Sequence, residues 1–297
     1  MKKIYFLALL AVTSLAFTSC GDDDDDNTAT SKTITLPTPQ FKDDAVKLEV
    51  LSAPEINLNG RQVKLKKIEI TESGKYLLSY EDVEKSRTRA GNPLLDYFMG
   101  LVKKNSDGSY ELVGFASIYI SINGQSYHVT LIPTGSEQID VDVRKLDNIA
   151  SDDLTGYLCR TWTVENTRVR GTIDGVKVAK DFPGECNVNE LVEYAQSKGA
   201  NITDQLKPNK IVQGITFTTS GTYLINYKNA SYDVGTWWWT SKQTGGGSVS
   251  YDWEQEAMGS SLESGTASID FVEGTKCKLT LQANITNATV ELVYTLH

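Results

Sequence analysis

Aromatic side chains suited to ligand binding are concentrated at Trp237-Trp238-Trp239, with Tyr251 and Trp253 shortly after. Successive side chains of a strand point to opposite faces, so Trp237 and Trp239 should share one face and Trp238 the other. Tyr251 and Trp253 would continue one of these stripes on the returning strand. Two interpretations follow: core packing with one partly covered ring outside, or a cavity wall or stacking platform for a ligand.

Residues for nucleophilic or metal-assisted catalysis are sparse. Histidine occurs only as the terminal His297 and as His128, which we expect to be a half-exposed strand residue. No G-x-S-x-G elbow, C-x-x-C pair or H-x-x-x-H pair is present. Gly245-Gly246-Gly247 lacks the Lys-Ser/Thr of a phosphate loop and is expected to be a flexible hairpin tip. Carboxylates are numerous, and only their separation in space would identify a glycosidase pair. The sequence therefore favours a non-catalytic protein without metal or cofactor.

The first twenty residues form a targeting signal. Lys2 and Lys3 precede an apolar run of 14 residues that is too short to span a bilayer and is typical of a secretory signal. The following stretch, Leu15-Ala16-Phe17-Thr18-Ser19-Cys20-Gly21, resembles the junction of a bacterial lipoprotein, with Phe17 where that family usually has Leu. The resemblance implies removal of residues 1–19 and acylation of Cys20, which would anchor the chain to outer-membrane lipid. The alternative is an ordinary cleaved signal with an incidental Cys.

An acidic run, Asp22 to Asp26, follows Cys20 and opens a predicted flexible tether over residues 20–40. Cys-Gly followed by Asp repeats resembles the surface-export signal of Bacteroidota-type lipoproteins, which implies the outer face of the outer membrane. Without Lys2 and Lys3 the chain carries 27 basic and 38 acidic residues, a net charge of −11. This balance argues against nucleic acid as a partner.

Three further cysteines, Cys159, Cys186 and Cys277, lie in the mature chain. An odd number leaves at least one free thiol, and the sequence does not determine whether a disulfide joins two of them. We prefer the interpretation that all three are small buried hydrophobes.

The chain contains an internal duplication. Residues 68–80 (IEITESGKYLLSY) and 215–227 (ITFTTSGTYLINY) are identical at seven of thirteen positions at an offset of 147. A second pair of similar stretches begins at Gly114 and Gly265. Two ordered matches indicate two related domains, which we place at residues 41–147 and 152–297. Apolar alternation on either side of Ser73-Gly74 and Ser220-Gly221 predicts a tight hairpin in each.

Short strands in meander order predict a mainly β protein of two tandem antiparallel barrels or sandwiches. The C-terminal copy, Leu154 to His297, resembles a lipocalin-like domain through Trp162, Ser220-Gly221-Thr222-Tyr223 and Gly235-Thr236-Trp237. It departs from that family because Arg160-Thr161-Trp162 replaces the usual Gly-x-Trp. We expect this stretch to belong to a strand that begins at Leu158. The resemblance implies a meander barrel that holds an apolar ligand and implies no catalytic residues.

One amphipathic helix is predicted in the C-terminal copy. Val188, Leu191, Val192 and Ala195 are spaced for a single helical face within residues 188–198. This helix could plug one barrel end or act as a lid.

Taken together, these patterns predict a lipid-anchored, non-catalytic envelope protein that binds a small apolar ligand or a glycan through its C-terminal domain. The alternative is a structural or assembly subunit that contacts a partner protein through exposed aromatic side chains.

The anchor is tested by Cys20→Ala. Without a thiol to acylate, the variant should appear in the soluble fraction, because a single cleaved signal leaves no stable attachment to lipid. Membrane fractionation and immunoblotting measure the distribution. A variant that sediments with membranes as the wild type does would contradict acylation at Cys20.

Overall fold

The computed structural model describes residues 34–58, 61–83, 96–123, 126–149, 151–184, 188–200, 211–228, 230, 232–253, 263–272, 274–285 and 288–297. The signal, Cys20, the acidic run and Cys186 lie outside these residues. Two compact units are present: one comprises residues 38–151 and 218–220, and the other comprises residues up to Pro37, 152–217 and 221–297. The chain folds as two tandem, closed, eight-stranded antiparallel barrels, which confirms the mainly β prediction.

The N-terminal barrel is a meander of strands with one side strand. The strands are β1 (Val46–Ser52), β2 (Ile56–Leu58), β3 (Arg61–Ile70), β4 (Lys75–Asp82), β5 (Asp96–Lys104), β6 (Tyr110–Leu112), β7 (Ala116–Asn123), β8 (Ser126–Pro133) and β9 (Ile139–Lys145). The barrel closes because β1 pairs with β9 along one edge and with β3 along the other. The rest of the β3 edge pairs with β2.

The C-terminal barrel repeats this plan with a longer first strand. Its elements are α1 (Asp153–Leu158), β10 (Thr161–Ile173), β11 (Val176–Pro183), α2 (Val188–Ser197), β12 (Val212–Phe217), β13 (Thr222–Tyr227), β14 (Tyr232–Gln243), β15 (Gly246–Trp253), β16 (Glu263–Val272), β17 (Lys276–Ile285) and β18 (Ala288–Leu296). Closure comes from pairing of β10 with β18. The other edge of β10 is shared, with residues 161–163 on β12 and residues 166–173 on β11.

The duplicated stretches form the predicted hairpins, β3–β4 and β12–β13. Gly74 and Gly221 occupy equivalent turn positions with φ of 69° and 80°, a left-handed conformation that glycine adopts without steric cost. The second pair of stretches forms β7–β8 and β16–β17, also hairpins. The predicted duplication is therefore present as matching pairs of hairpins.

Three local predictions differ from the structure. Leu158 ends the short helix α1, and strand β10 begins only at Thr161. Asn92-Pro93 in the sequence could cap a short helix with Phe98 on one face, but Phe98 lies within β5. Gly246 and Gly247, expected in a flexible tip, belong to β15, where a Cβ would lie 2.0 Å from Ile269 O and 2.4 Å from Ser241 O, respectively. These two glycines therefore permit close approach of neighbouring strands.

Each barrel also places a glycine beneath an interior tyrosine ring. A Cβ at Gly265 would lie 2.4 Å from the Tyr251 hydroxyl oxygen, and one at Gly100 would lie 2.6 Å from a ring carbon of Tyr76. Both tyrosines are buried, so neither ring can swing into solvent without exposing apolar surface. The absence of a side chain at these two positions lets the tyrosine rings pack directly over the glycine backbone.

Gly265→Ala should destabilise the protein by about 1–3 kcal/mol, the usual cost of overpacking a filled core. Urea unfolding followed by tryptophan fluorescence measures the change. Gly156→Ala is the matched control, because a Cβ there meets nothing within 4 Å and alanine favours a helix. Equal unfolding midpoints for Gly265→Ala and wild type would contradict the packing of Tyr251 over Gly265.

Candidate functional site

The predicted aromatic cluster lies on β14 and β15. Trp237 is opposite Tyr251, Trp238 opposite Ser250 and Trp239 opposite Val249. Trp237 and Trp239 contact the barrel core and Trp238 lies on the outer face, so the three rings occupy the opposite faces that the alternation predicts. Thus the structure brings Trp237, Trp239 and Tyr251 together inside the barrel and separates Trp238 from them.

The inward-facing rings are covered by other side chains. Trp237 is 1% exposed and Tyr251 is 2% exposed. The Trp237 ring packs edge-on against Phe217, with centroids 5.3 Å apart, and against Trp239 at 5.7 Å. Trp253 is the last residue of β15 and its side chain lies outside the described part of the chain. The described inward rings are therefore packing residues of the barrel core.

Helix α1 covers the end of the C-terminal barrel at which β10 begins. Asp152 caps it by accepting hydrogen bonds from the Thr155 backbone nitrogen and hydroxyl at 3.0 and 3.1 Å, and Lys242 contacts the same carboxylate. Two indoles hold the helix: Trp162 Nε1 donates to Leu158 O and Trp239 Nε1 donates to Thr155 Oγ1, each at 2.9 Å. These contacts assign Trp162 and Trp239 to closure of this end.

The predicted helix α2 has a different neighbour. The Tyr194 hydroxyl on α2 donates to Ala179 O of β11 at 3.0 Å, and Ala195 is buried in the core. Lys180 on β11 lies over the Tyr194 ring, 5.3 Å from its centroid. Among the described elements, α2 therefore lies against β11, and α1 is the helix that closes a barrel end.

The outer face around Trp238 combines an exposed indole with hydroxyl groups. Trp238 is 40% exposed. Its cross-strand neighbour on β15 is Ser250, and Thr266 on β16 pairs in turn with Ser250. The positions flanking them on the same face are Thr236, Ser248, Ser268 and Asp252. An aromatic face bordered by hydroxyl donors and acceptors can stack on an apolar ring surface and hydrogen-bond its polar rim.

Sequence reasoning missed a polar contact inside the C-terminal barrel. The Tyr227 hydroxyl donates to the Asp233 carboxylate at 2.7 Å. Burial, and then the charge of Asp233, raises the pKa of the Tyr227 phenol above its ordinary value of 10. Alternation places Asp233 on the same face as Gly235 and Trp237, but only the structure shows that this face points inward.

The structure also locates His128 and two of the three mature cysteines. His128 is half-exposed, as predicted, with Nε2 3.5 Å from an oxygen of Asp140. Cys159 and Cys277 are buried, as expected of small hydrophobic side chains, and burial raises the pKa of the Cys277 thiol. The described residues contain no group of three His, Cys, Asp or Glu side chains arranged to hold a metal. Within the same ranges, no helix is both long and apolar enough to cross a membrane.

The buried phenol of Tyr227 predicts a pH effect. Its folded pKa lies above the unfolded value, so its contribution to stability is complete below pH 10 and declines as pH rises above 10. Tyr227→Phe should remove up to about 1.4 kcal/mol per pH unit from that decline. Urea unfolding at a series of pH values from 8 upward measures it, and an unchanged alkaline slope in the variant would contradict the assignment.

No protein-family model matches the chain, and no curated protein matches it in sequence. Among solved structures, the chain is similar to a mutant of the vaccine antigen transferrin binding protein B from Haemophilus parasuis. The identity is 7% and the TM-score 0.24, over 80% of this chain and 53% of that chain, so this chain matches about half the length of its structural neighbour. A likeness at this level assigns neither a ligand nor a partner.

Proposed function

We propose that this protein is a lipid-anchored, non-catalytic binding protein of the outer-membrane surface whose C-terminal barrel binds a neutral glycan at Trp238. The observation that carries the proposal is the 40% exposed indole of Trp238 on a sheet face lined with hydroxyl groups. Sugar rings present an apolar C–H face and a rim of hydroxyls. The Trp238 ring matches the first, and the serine and threonine side chains match the second.

The charge of this face supports a neutral ligand. Ser250, the cross-strand neighbour of Trp238, and Thr266, which pairs with Ser250, are both uncharged, although the chain as a whole carries a net charge of −9. Asp252 is the nearest acidic position along β15 and is only partly exposed. A glycan can bind here by stacking and hydrogen bonding without neutralising a buried charge.

The packing of the barrel interior disfavours the small apolar ligand that the sequence allowed. The ring contacts of Trp237 with Phe217 and Trp239 fill the space beside it. A ligand stacked on Trp237 would have to displace these rings, and opening a filled core costs several kcal/mol. For this reason the proposal places the ligand on the outer face.

A partner protein is the second candidate, and the same observation favours it. Exposed tryptophan is the residue type that most often dominates the binding energy of protein interfaces. In that case the hydroxyls around Trp238 would form the polar rim of an interface. The anchor at Cys20 and the absence of catalysis are common to both candidates.

Trp238→Ala should weaken glycan binding at least about tenfold, equivalent to about 1.4 kcal/mol, because it removes the stacking surface. The mature protein would be titrated by calorimetry with a panel of soluble neutral polysaccharides, and any ligand found would be titrated again with the variant.

Tyr119→Ala is the matched control, since Tyr119 is 41% exposed on the N-terminal barrel. It should bind as the wild type does. Unchanged affinity in a folded Trp238→Ala variant would contradict the glycan site. If no polysaccharide binds but a protein partner is lost on Trp238→Ala, the second candidate replaces the first.

A further inference from the structure

The residues that precede the N-terminal barrel in sequence contact the C-terminal barrel. Ile34 forms a parallel bridge with Gly274, in the turn between β16 and β17, and Thr35 Oγ1 donates to Gly274 O at 3.3 Å. Ile34 and Leu36 pack against the core of this barrel, whereas Thr35 between them is exposed. Residues 34–37, called the docked segment below, therefore lie on the barrel as a short extended piece with one apolar side inward.

Arg160 holds the other end of the docked segment. Its Nη1 donates to Pro37 O at 2.8 Å, and its Nε donates to Tyr157 O of α1 at 2.9 Å. The guanidinium also lies over the Trp162 ring, 5.5 Å from the centroid. The contacts with Tyr157 O and with the Trp162 ring therefore fix the position of the guanidinium that binds Pro37 O. Arg160 thereby joins the docked segment to α1 and to the start of β10.

All of these contacts lie at one end of the barrel, the end that α1 covers. Strand β17 begins next to Gly274 and runs for 10 residues to Ile285, so the opposite end is about 30 Å away. Between Cys20 and Ile34 lie 13 residues, which span at most about 50 Å when fully extended. The first contact of the chain after Cys20, among the described residues, is therefore with the α1 end of the C-terminal barrel.

We infer that the docked segment orients the C-terminal barrel on the membrane, with its α1 end toward the bilayer and its opposite end away from it. The inference rests on the lipid anchor of the proposed function. The α1 end is linked to the anchor by the 13 residues between Cys20 and Ile34. The opposite end is linked to the anchor only by way of the barrel itself. The last residues of β13 and β17 lie at that opposite end, as do the first residues of β14 and β18.

Energy transfer to the membrane tests this orientation. The lipidated protein would be reconstituted into vesicles that carry an acceptor dye on the lipid headgroups. A donor dye would be attached at Thr275→Cys, beside the docked segment, or at Thr289→Cys, at the opposite end; both threonines are exposed. The parent protein, treated with the same dye, measures the background labelling of its own cysteines. Cys159 and Cys277 should contribute little to it because they are buried. Transfer should be more efficient from position 275 than from position 289.

A double variant, Ile34→Asp with Leu36→Asp, places charge against the apolar core and should release the docked segment. It should reduce or abolish the difference between the two donor positions. Thr38→Asp with Gln40→Asp is the matched control, with the same charge and spacing at exposed positions, and should preserve the difference. Equal transfer from both positions in the wild type, or an unchanged difference in the folded double variant, would overturn the orientation. If the protein were absent from the vesicles, the lipid anchor itself would be overturned. Glycan binding is titrated in solution, so its outcome depends on neither the orientation nor the anchor.

Discussion

Closure of each sheet is the constraint on which the rest of the structure depends. Strand β10 pairs with β18 on one side and with β12 and β11 in succession on the other, and β1 pairs with β9 and β3 in the same manner. Closure leaves no exposed edge in the barrel wall and directs every second side chain into a small interior. That interior must be filled or must hold a ligand. In the C-terminal barrel, buried rings such as Trp237 and Tyr251 occupy part of it.

The two copies share a backbone plan and differ in what they enclose. Tyr80 of the N-terminal barrel stacks on Phe98 with ring centroids 4.7 Å apart. In the C-terminal barrel the equivalent tyrosine, Tyr227, instead donates a hydrogen bond to Asp233. The register places Phe98 and Asp233 opposite equivalent positions of the duplicated hairpin, Leu78 and Ile225. A closed barrel thus tolerates an apolar stack or a paired carboxylate at the same position, provided that the polar group is hydrogen-bonded.

Alternation was sufficient to predict most of the sheet. The hairpins, the shared face of Trp237 and Trp239 and the opposite face of Trp238 all follow from the period of two. Helix α1 was missed because six residues are too few to show a helical period; it depends on the Asp152 cap and on hydrogen bonds from Trp162 and Trp239. Which tryptophan is exposed could not be predicted, because the sequence does not say which face of β14 meets the core.

Recognition on the outer face at Trp238, as we propose, should leave the barrel interior unchanged. The chain has five tryptophans, at positions 162, 237, 238, 239 and 253, so its indole N–H groups give a small and assignable set of NMR signals. Single Trp→Phe variants assign them. On titration of the mature protein with a bound polysaccharide, we predict that the Trp238 signal shifts while those of Trp162 and Trp237 stay in place. Shifts of Trp162 and Trp237 with an unmoved Trp238 signal would contradict the account and place the ligand inside the barrel.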